Sequence, residues 1–158
     1  MKVTVEVSDM KISTKKGDSI VTYALGSCLG ITVYDPVANV AGMLHSQLPL
    51  SSVSPEKAKK NPCMFVDTGI PYLFEQAYKL GLKKERAIVK LTGCSHLGNK
   101  DSIYNIGERN YILARKLLWK NDVLISAEDV GGAMSRSLSL DVATGMLTVK
   151  SGKREVAI

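Results

Sequence analysis

Leu25-Gly26-Ser27-Cys28-Leu29-Gly30-Ile31-Thr32-Val33-Tyr34-Asp35-Pro36, with Val40-Ala41-Gly42-Met43-Leu44-His45 beyond, reads as a glycine-flanked bend leading into a β-hairpin. The β-branched run at 31–34 and the apolar run at 40–45 are strand-like, and Asp35-Pro36 favours the turn between them. Antiparallel pairing across that turn brings Cys28 and His45 to one end of a sheet. A thiol is a good nucleophile as thiolate, and a nearby imidazole can create and hold that state.

Outward from the hairpin, residues 2–8 alternate strictly and read as a half-buried strand, followed by a turn at Lys15-Lys16-Gly17-Asp18 and a strand at 19–23. Residues 46–64 are rich in Ser, Pro and Lys. They form a long connection placed where a lid or substrate-contact loop would serve. Asp67 is positioned to cap a helix running to Lys79, with Ile70, Leu73, Phe74 and Ala77 inward and Gly81 ending it. A buried strand at 87–91 leads into a polar loop at 92–99. Asn105 and Glu108 then read as a capping box for a second helix, with Leu113, Ala114, Leu117 and Leu118 on its core face. Strands at 123–127, 136–142 and 146–150 complete the pattern, with Gly131-Gly132 as a turn. The expected class is α+β: a β-sandwich-like core of mainly antiparallel strands flanked by two principal helices, in one domain over 1–158.

The composition agrees with a globular domain. The chain has 158 residues, 45% apolar and 23% charged, a length at which folding buries about 70% of the unfolded surface. With neither a basic-then-apolar leader nor a bilayer-length apolar run in the sequence, the expectation is a cytoplasmic protein without membrane insertion. Three cysteines, an odd number, point to reduced thiols rather than a disulfide framework. The net charge of +6 suits an acidic partner. Its densest clusters, Lys57-Lys59-Lys60 and Lys83-Lys84-Arg86, lack the interleaved aromatics of single-strand binders, so no nucleic-acid partner is expected.

Gly26-Ser27-Cys28-Leu29-Gly30 matches the spacing of the hydrolase nucleophile elbow, but that elbow enters a helix, and here a strand follows. What survives is a bend exposing a side chain. A lone cysteine is most often a buried, inert thiol. The combination says more, because Thr22 lies on the preceding strand with a hydroxyl able to orient the His45 imidazole. Spacing alone leaves the triad and the inert thiol equally open. Ser27 is a second hydroxyl nucleophile without an evident acid partner. Cys94 and His96, with Cys28, Cys63 and His45, offer sulfur and nitrogen ligands for zinc, yet no pair has zinc-site spacing, and neither metal nor cofactor is expected. Cys63 or Cys94 could also resolve an oxidised Cys28. Asp67 and Asp129 read as capping or turn residues, Arg109 as solvated, and Arg136 as either solvated or a carboxylate holder.

Taken in order, Leu25-Gly26-Ser27-Cys28, Tyr34-Asp35-Pro36, Gly42-Met43-Leu44-His45, Leu48-Pro49, Asp67-Thr68, Asn105-Ile106-Gly107-Glu108-Arg109-Asn110, Glu128-Asp129, Gly131-Gly132, Arg136 and Thr144-Gly145 resemble the chemoreceptor glutamine deamidases, the CheD family. The resemblance spans most of the chain. It implies a β-sandwich flanked by helices and a Cys-His-Thr triad that converts receptor glutamines to glutamates. By motif position Cys28 is then the nucleophile, His45 the base and Thr22 the orienting hydroxyl, with Gly26 and Ser27 at the oxyanion site. The implied partners are the cytoplasmic helices of methyl-accepting chemoreceptors and a CheC-type phosphatase. A purely regulatory module acting on that phosphatase is the alternative, and methylesterase activity through the same acyl intermediate is an extension. The resemblance does not extend to Cys63, Cys94 or His96.

Overall fold

The computed structural model describes residues 1–96 and 105–158. Its strands are β1 (Lys2–Thr4), β2 (Asp9–Ser13), β3 (Ser19–Leu25), β4 (Leu29–Asp35), β5 (Val40–Ser46), β6 (Ile88–Gly93), β7 (Ile125–Val130), β8 (Arg136–Asp141), β9 (Leu147–Ser151) and β10 (Arg154–Ala157). Its helices are α1 (Pro55–Lys60), α2 (Val66–Lys79) and α3 (Ile106–Lys120). The strands form two five-stranded sheets, one ordered β1-β3-β8-β9-β10 and the other β2-β5-β4-β6-β7. Pairing is antiparallel except between β1 and β3 and between β6 and β7.

Three layers result. Ile20, Leu25, Tyr34, Met43, Leu138, Leu140 and Val149 fill the space between the sheets. Leu29, Ile31, Leu44 and Leu91 turn the other way, onto Leu73, Phe74 and Ala77 of α2 and Ala114 and Leu118 of α3. Every residue of β4 and β5 is buried, because one face meets the opposing sheet and the other meets the helices. That two-sided burial explains why the two strands read as nearly continuous apolar runs rather than alternating ones. The expected α+β sandwich with two principal helices is therefore the observed fold, with the short α1 added.

The hairpin pairs β4 with β5 in a register that sets Gly30 opposite His45 and Asp35 opposite Val40. Its turn is held by Asp35. That carboxylate, wholly buried, accepts from the N–H groups of Val37, Ala38 and Lys83 and from the Arg86 guanidinium, whose Nη2 lies 2.8 Å away. Gly81, at φ +105°, ends α2.

Several expectations are corrected. The alternating run at 2–8 is not one strand. The chain leaves the first sheet after Thr4, turns with Ser8 at φ +57°, and enters the second sheet as β2. Asp67 does not cap α2. Its carboxylate accepts from the N–H and hydroxyl of Ser51, tying down the connection after β5. That connection is folded: Leu48 bridges Phe65, and Asn61 Nδ2 donates to the Ser8 carbonyl. Asn105 donates to the Glu108 carboxylate and caps no helical N–H, so the reciprocal capping box is absent. Asp129 lies within β7, where it is ion-paired with Arg136 and Arg154. Arg136 is buried on that carboxylate, and Arg109 is exposed as expected. The last strand, β10, was not foreseen. Of the polar loop expected at 92–99, positions 97–99 lie outside the described residues.

Candidate active site

Alternation along β5 decides where the imidazole goes. Ala41 and Met43 face the opposing sheet, and His45, two residues on, shares that face. Across the layer, β3 carries Thr22, and the two side chains meet: Thr22 Oγ1 lies 2.8 Å from His45 Nδ1. Both residues are fully buried. The Thr22 hydroxyl also donates to the Val5 carbonyl at 2.8 Å. A carbonyl can only accept and a hydroxyl has one proton, so the proton in the Thr22–His45 bond belongs to Nδ1. Nε2 is thereby left as the unprotonated, basic nitrogen, with no hydrogen-bond partner among the described residues.

A β-bulge follows Thr22 on β3, ahead of the bend that carries Cys28. The β3–β8 register shifts between Thr22 and Leu25, with Ala24 at φ +54°. Ile20 and Thr22 are buried by ordinary alternation, and the extra residue resets it so that Leu25 is buried as well, while Tyr23 and Ala24 are exposed.

Cys28 sits in the bend Gly26-Ser27-Cys28, one residue before β4. It packs against the inter-sheet layer that holds His45. Gly30 lies directly opposite His45 and Leu29 opposite Ser46, so Cys28 stands just past the end of the ladder that carries His45. No hydrogen bond joins sulfur to Nε2 in this resting arrangement. Burial pushes the Cys28 thiol above its usual 9.0, opposed by its own backbone N–H. Burial pushes the His45 imidazole below its usual 6.5, opposed by the charge of Asp9. The resting site is thus a neutral thiol beside a neutral base.

The carbonyls of the bend are all anchored: Gly26 O accepts from Ser95 N at 3.0 Å, Cys28 O from Cys94 N at 2.8 Å and Ser27 O from Asn110 Nδ2 at 3.0 Å. Among the described residues the N–H groups of Gly26 and Ser27 find no acceptor, while that of Cys28 is directed at its own sulfur. Carbonyls fixed outward with amides left over is the arrangement an oxyanion requires. The supporting Cys94-Ser95 segment is itself clamped. Arg136 Nη1 donates to Ser95 Oγ at 2.7 Å and to Gly93 O at 3.2 Å, while its other nitrogens pair with Asp129. Gly107 lets α3 approach this segment, since a Cβ there would collide with the carbonyls of Cys94 and Ser95.

Of the expected site residues, Thr22 and His45 are hydrogen-bonded, Cys28 shares their layer, and Gly26 and Ser27 form the bend. Cys94 is buried on the helix side of the sheet with its thiol pushed up to about 12, and Cys63 also lies on that side, pushed up to about 11. Among the described residues no three His, Cys, Asp or Glu side chains gather as a metal site would need. Nor is any helix there long and apolar enough to cross a membrane. Asn110 and the Arg136–Asp129 pair were not picked out as site supports from the sequence. The available signal for Asn110 was an amide on the same helix face as Ala114 and Leu118.

Comparison with known proteins bears on what this arrangement serves. The family model described as CheD chemotactic sensory transduction matches residues 47–151. A probable chemoreceptor glutamine deamidase CheD 1 of Syntrophus aciditrophicus is 46% identical over 149 residues, covering 94% of this chain and 93% of that protein. The chain belongs to the CheD family. Another probable chemoreceptor glutamine deamidase CheD, from Solibacter usitatus, is 38% identical and covers 98% of this chain and 91% of its own length. The CheD relative of Thermococcus kodakarensis is 39% identical, covering 97% and 96% respectively. Among solved structures, a Neisseria meningitidis protein with the DUF152 family model aligns over 82% of this chain and 62% of its own, at 9% identity and a TM-score of 0.44.

Proposed function

We propose that this CheD-family chain hydrolyses glutamine side-chain amides in the cytoplasmic helices of chemoreceptors, with Cys28 as nucleophile, His45 as general base and Thr22 as the group that orients it. The observation that carries the reading is the Thr22–His45 bond. It fixes the imidazole tautomer and leaves a basic Nε2 in the layer Cys28 packs against.

Nε2 takes the Cys28 proton as sulfur attacks the amide carbonyl, forming the C–S bond. The amide N–H groups of the bend receive the negative oxygen, a contribution of about 2.7–4 kcal/mol for one such donor. The imidazolium then protonates the nitrogen, the C–N bond breaks and ammonia leaves. Water next attacks the thioester carbonyl and gives its proton to Nε2. The C–S bond breaks, and a glutamate and the free thiol result. Neither half-reaction needs a redox partner.

Because thiol and base both rest neutral, the thiolate forms only as the proton moves, so substrate binding must bring sulfur and Nε2 together. Catalytic hydrogen bonds commonly tighten in this way on binding. The test is to incubate receptor cytoplasmic fragments with wild type and Cys28→Ala, following ammonia release and the mass gain as amide becomes acid. Wild type is expected to convert specific glutamines and Cys28→Ala none. Deamidation by Cys28→Ala would overturn the mechanism.

A further inference from the structure

We propose that Asn110 is a positioning residue for this chemistry, a single carboxamide that sets the nucleophile and the base in register. The inference deepens the deamidase reading and rests on it. Asn110 lies one turn inside α3, fully buried, on a helix that carries none of the three reacting groups. Its Nδ2 donates both protons to backbone carbonyls: Ser27 O at 3.0 Å and Gln47 O at 3.2 Å. Ser27 immediately precedes Cys28, and Gln47 follows His45 by two residues. The two strand ends that deliver sulfur and imidazole are therefore pinned to one planar, rigid group.

This pin acts where the sheet no longer does. The β4–β5 ladder ends with Leu29 opposite Ser46, so Cys28 and Gln47 lie just past its last pair. Cys28 O and Gly26 O are tied to the Cys94-Ser95 segment, which fixes the bend to β6 but not to the strand bearing His45. Gln47 N is tied to Met64 O, which fixes that strand to the folded connection but not to the bend. Among the described side chains, Asn110 is the hydrogen-bonded link between the two. A displacement of about 1 Å between reacting groups can cost about 10²-fold in rate, so a link of this kind matters for kcat more than for substrate affinity.

The experiment is a double-mutant cycle on two readouts, using the full chain. Alkylation of Cys28 by iodoacetamide, followed at the Cys28 peptide by mass spectrometry at neutral pH, reports how often thiol and base meet transiently before substrate binds, since the reagent traps the thiolate. Deamidation of receptor fragments supplies kcat and KM. Asn110→Ala is expected to lower kcat about 10- to 100-fold with KM nearly unchanged. It should also slow alkylation toward the rate of His45→Ala. Combined with His45→Ala it should add little further loss, because a positioning residue acts only through the group it positions. Asn110→Asp, which keeps the volume but replaces both donors with acceptors, is expected to behave as Asn110→Ala.

Additive losses in the cycle, or wild-type alkylation in a folded variant, would overturn the proposal. So would unfolding of both variants, which would assign the amide to the core alone. If no variant and not even wild type releases ammonia, the deamidase reading fails. The alkylation cycle would still decide whether Asn110 couples Cys28 to His45.

Discussion

Thr22 serves His45 twice, as the acceptor that fixes its tautomer and as a donor that is itself fixed by Val5. Thr22→Val keeps the shape and removes both. It strands a buried Nδ1–H, at about 1–3 kcal/mol, and frees the ring to rotate. Deamidation is expected to fall roughly 10²-fold, within the range general-base catalysis supplies, whereas Thr22→Ser, which retains the hydroxyl, should keep most of it. Equal activity in the Val and Ser variants would remove Thr22 from the mechanism. The burial that governs His45 also fixes the pH response. An imidazole held below 6.5 stays a free base into mildly acidic solution and is protonated only beneath that value. The acid limb of kcat/KM should therefore have its midpoint below pH 6.5, and a midpoint above it would contradict a desolvated base. The same depression bears on stability, because the unfolded chain binds a proton near 6.5 that the folded chain refuses. This contribution is full above that pH and is lost as the pH falls through the window below it.

Between elements, the hairpin turn is secured by a carboxylate rather than by turn propensity alone. Asp35 joins the β4–β5 turn to the connection between α2 and β6 through three backbone N–H groups and Arg86. Those contacts hold it well below the usual carboxylate range, with burial opposing them. Asp35→Ala leaves three backbone N–H groups and the Arg86 guanidinium without their acceptor and is expected to cost about 3 kcal/mol, read as a lower urea midpoint. Since the folded carboxylate stays ionised where the unfolded one is protonated, the wild-type advantage should hold above about pH 4 and shrink as the pH falls further. An advantage that persists unchanged at pH 3 would count against the ion-pair account. The hairpin was legible because its turn residues and apolar runs all pointed the same way. The end of the first strand at Thr4 and the crossing to the second sheet at Asp9 were not, since alternation marks a face and says nothing about a turn at Ser8. Strand β10 was hidden by Arg154 and Glu155, which pair at an edge and need no apolar pattern. The Cys28–His45 neighbourhood could be read from the hairpin, but Asn110 could not. Its value lies in bonds to carbonyls remote in sequence, |i−j| 83 and 63, which no local pattern encodes.

Across the whole molecule, the groups proposed as catalytic come from both sheets and the proposed pin from the third layer, so on this reading the site exists only when the sandwich is closed. The charge is distributed differently. The excess of +6 lies mostly on exposed side chains, some of them near the site: Arg109 and Lys116 line, with Pro49, Leu50 and Ile112, a shallow groove beginning two residues beyond Gln47. If the substrate is an acidic helix, these charges accelerate encounter and contribute little to the chemical step. Surface charges are screened by salt, with a Debye length of about 10 Å at 0.1 M and about 3 Å at 1 M. Deamidation of receptor fragments should then lose kcat/KM steeply as salt rises, while kcat at saturation changes little because His45 is buried and Cys28 half-buried. Arg109→Gln with Lys116→Gln should lower kcat/KM at low salt and flatten its salt dependence. A wild-type kcat/KM that is indifferent to salt would mean that the positive surface has no part in finding the substrate.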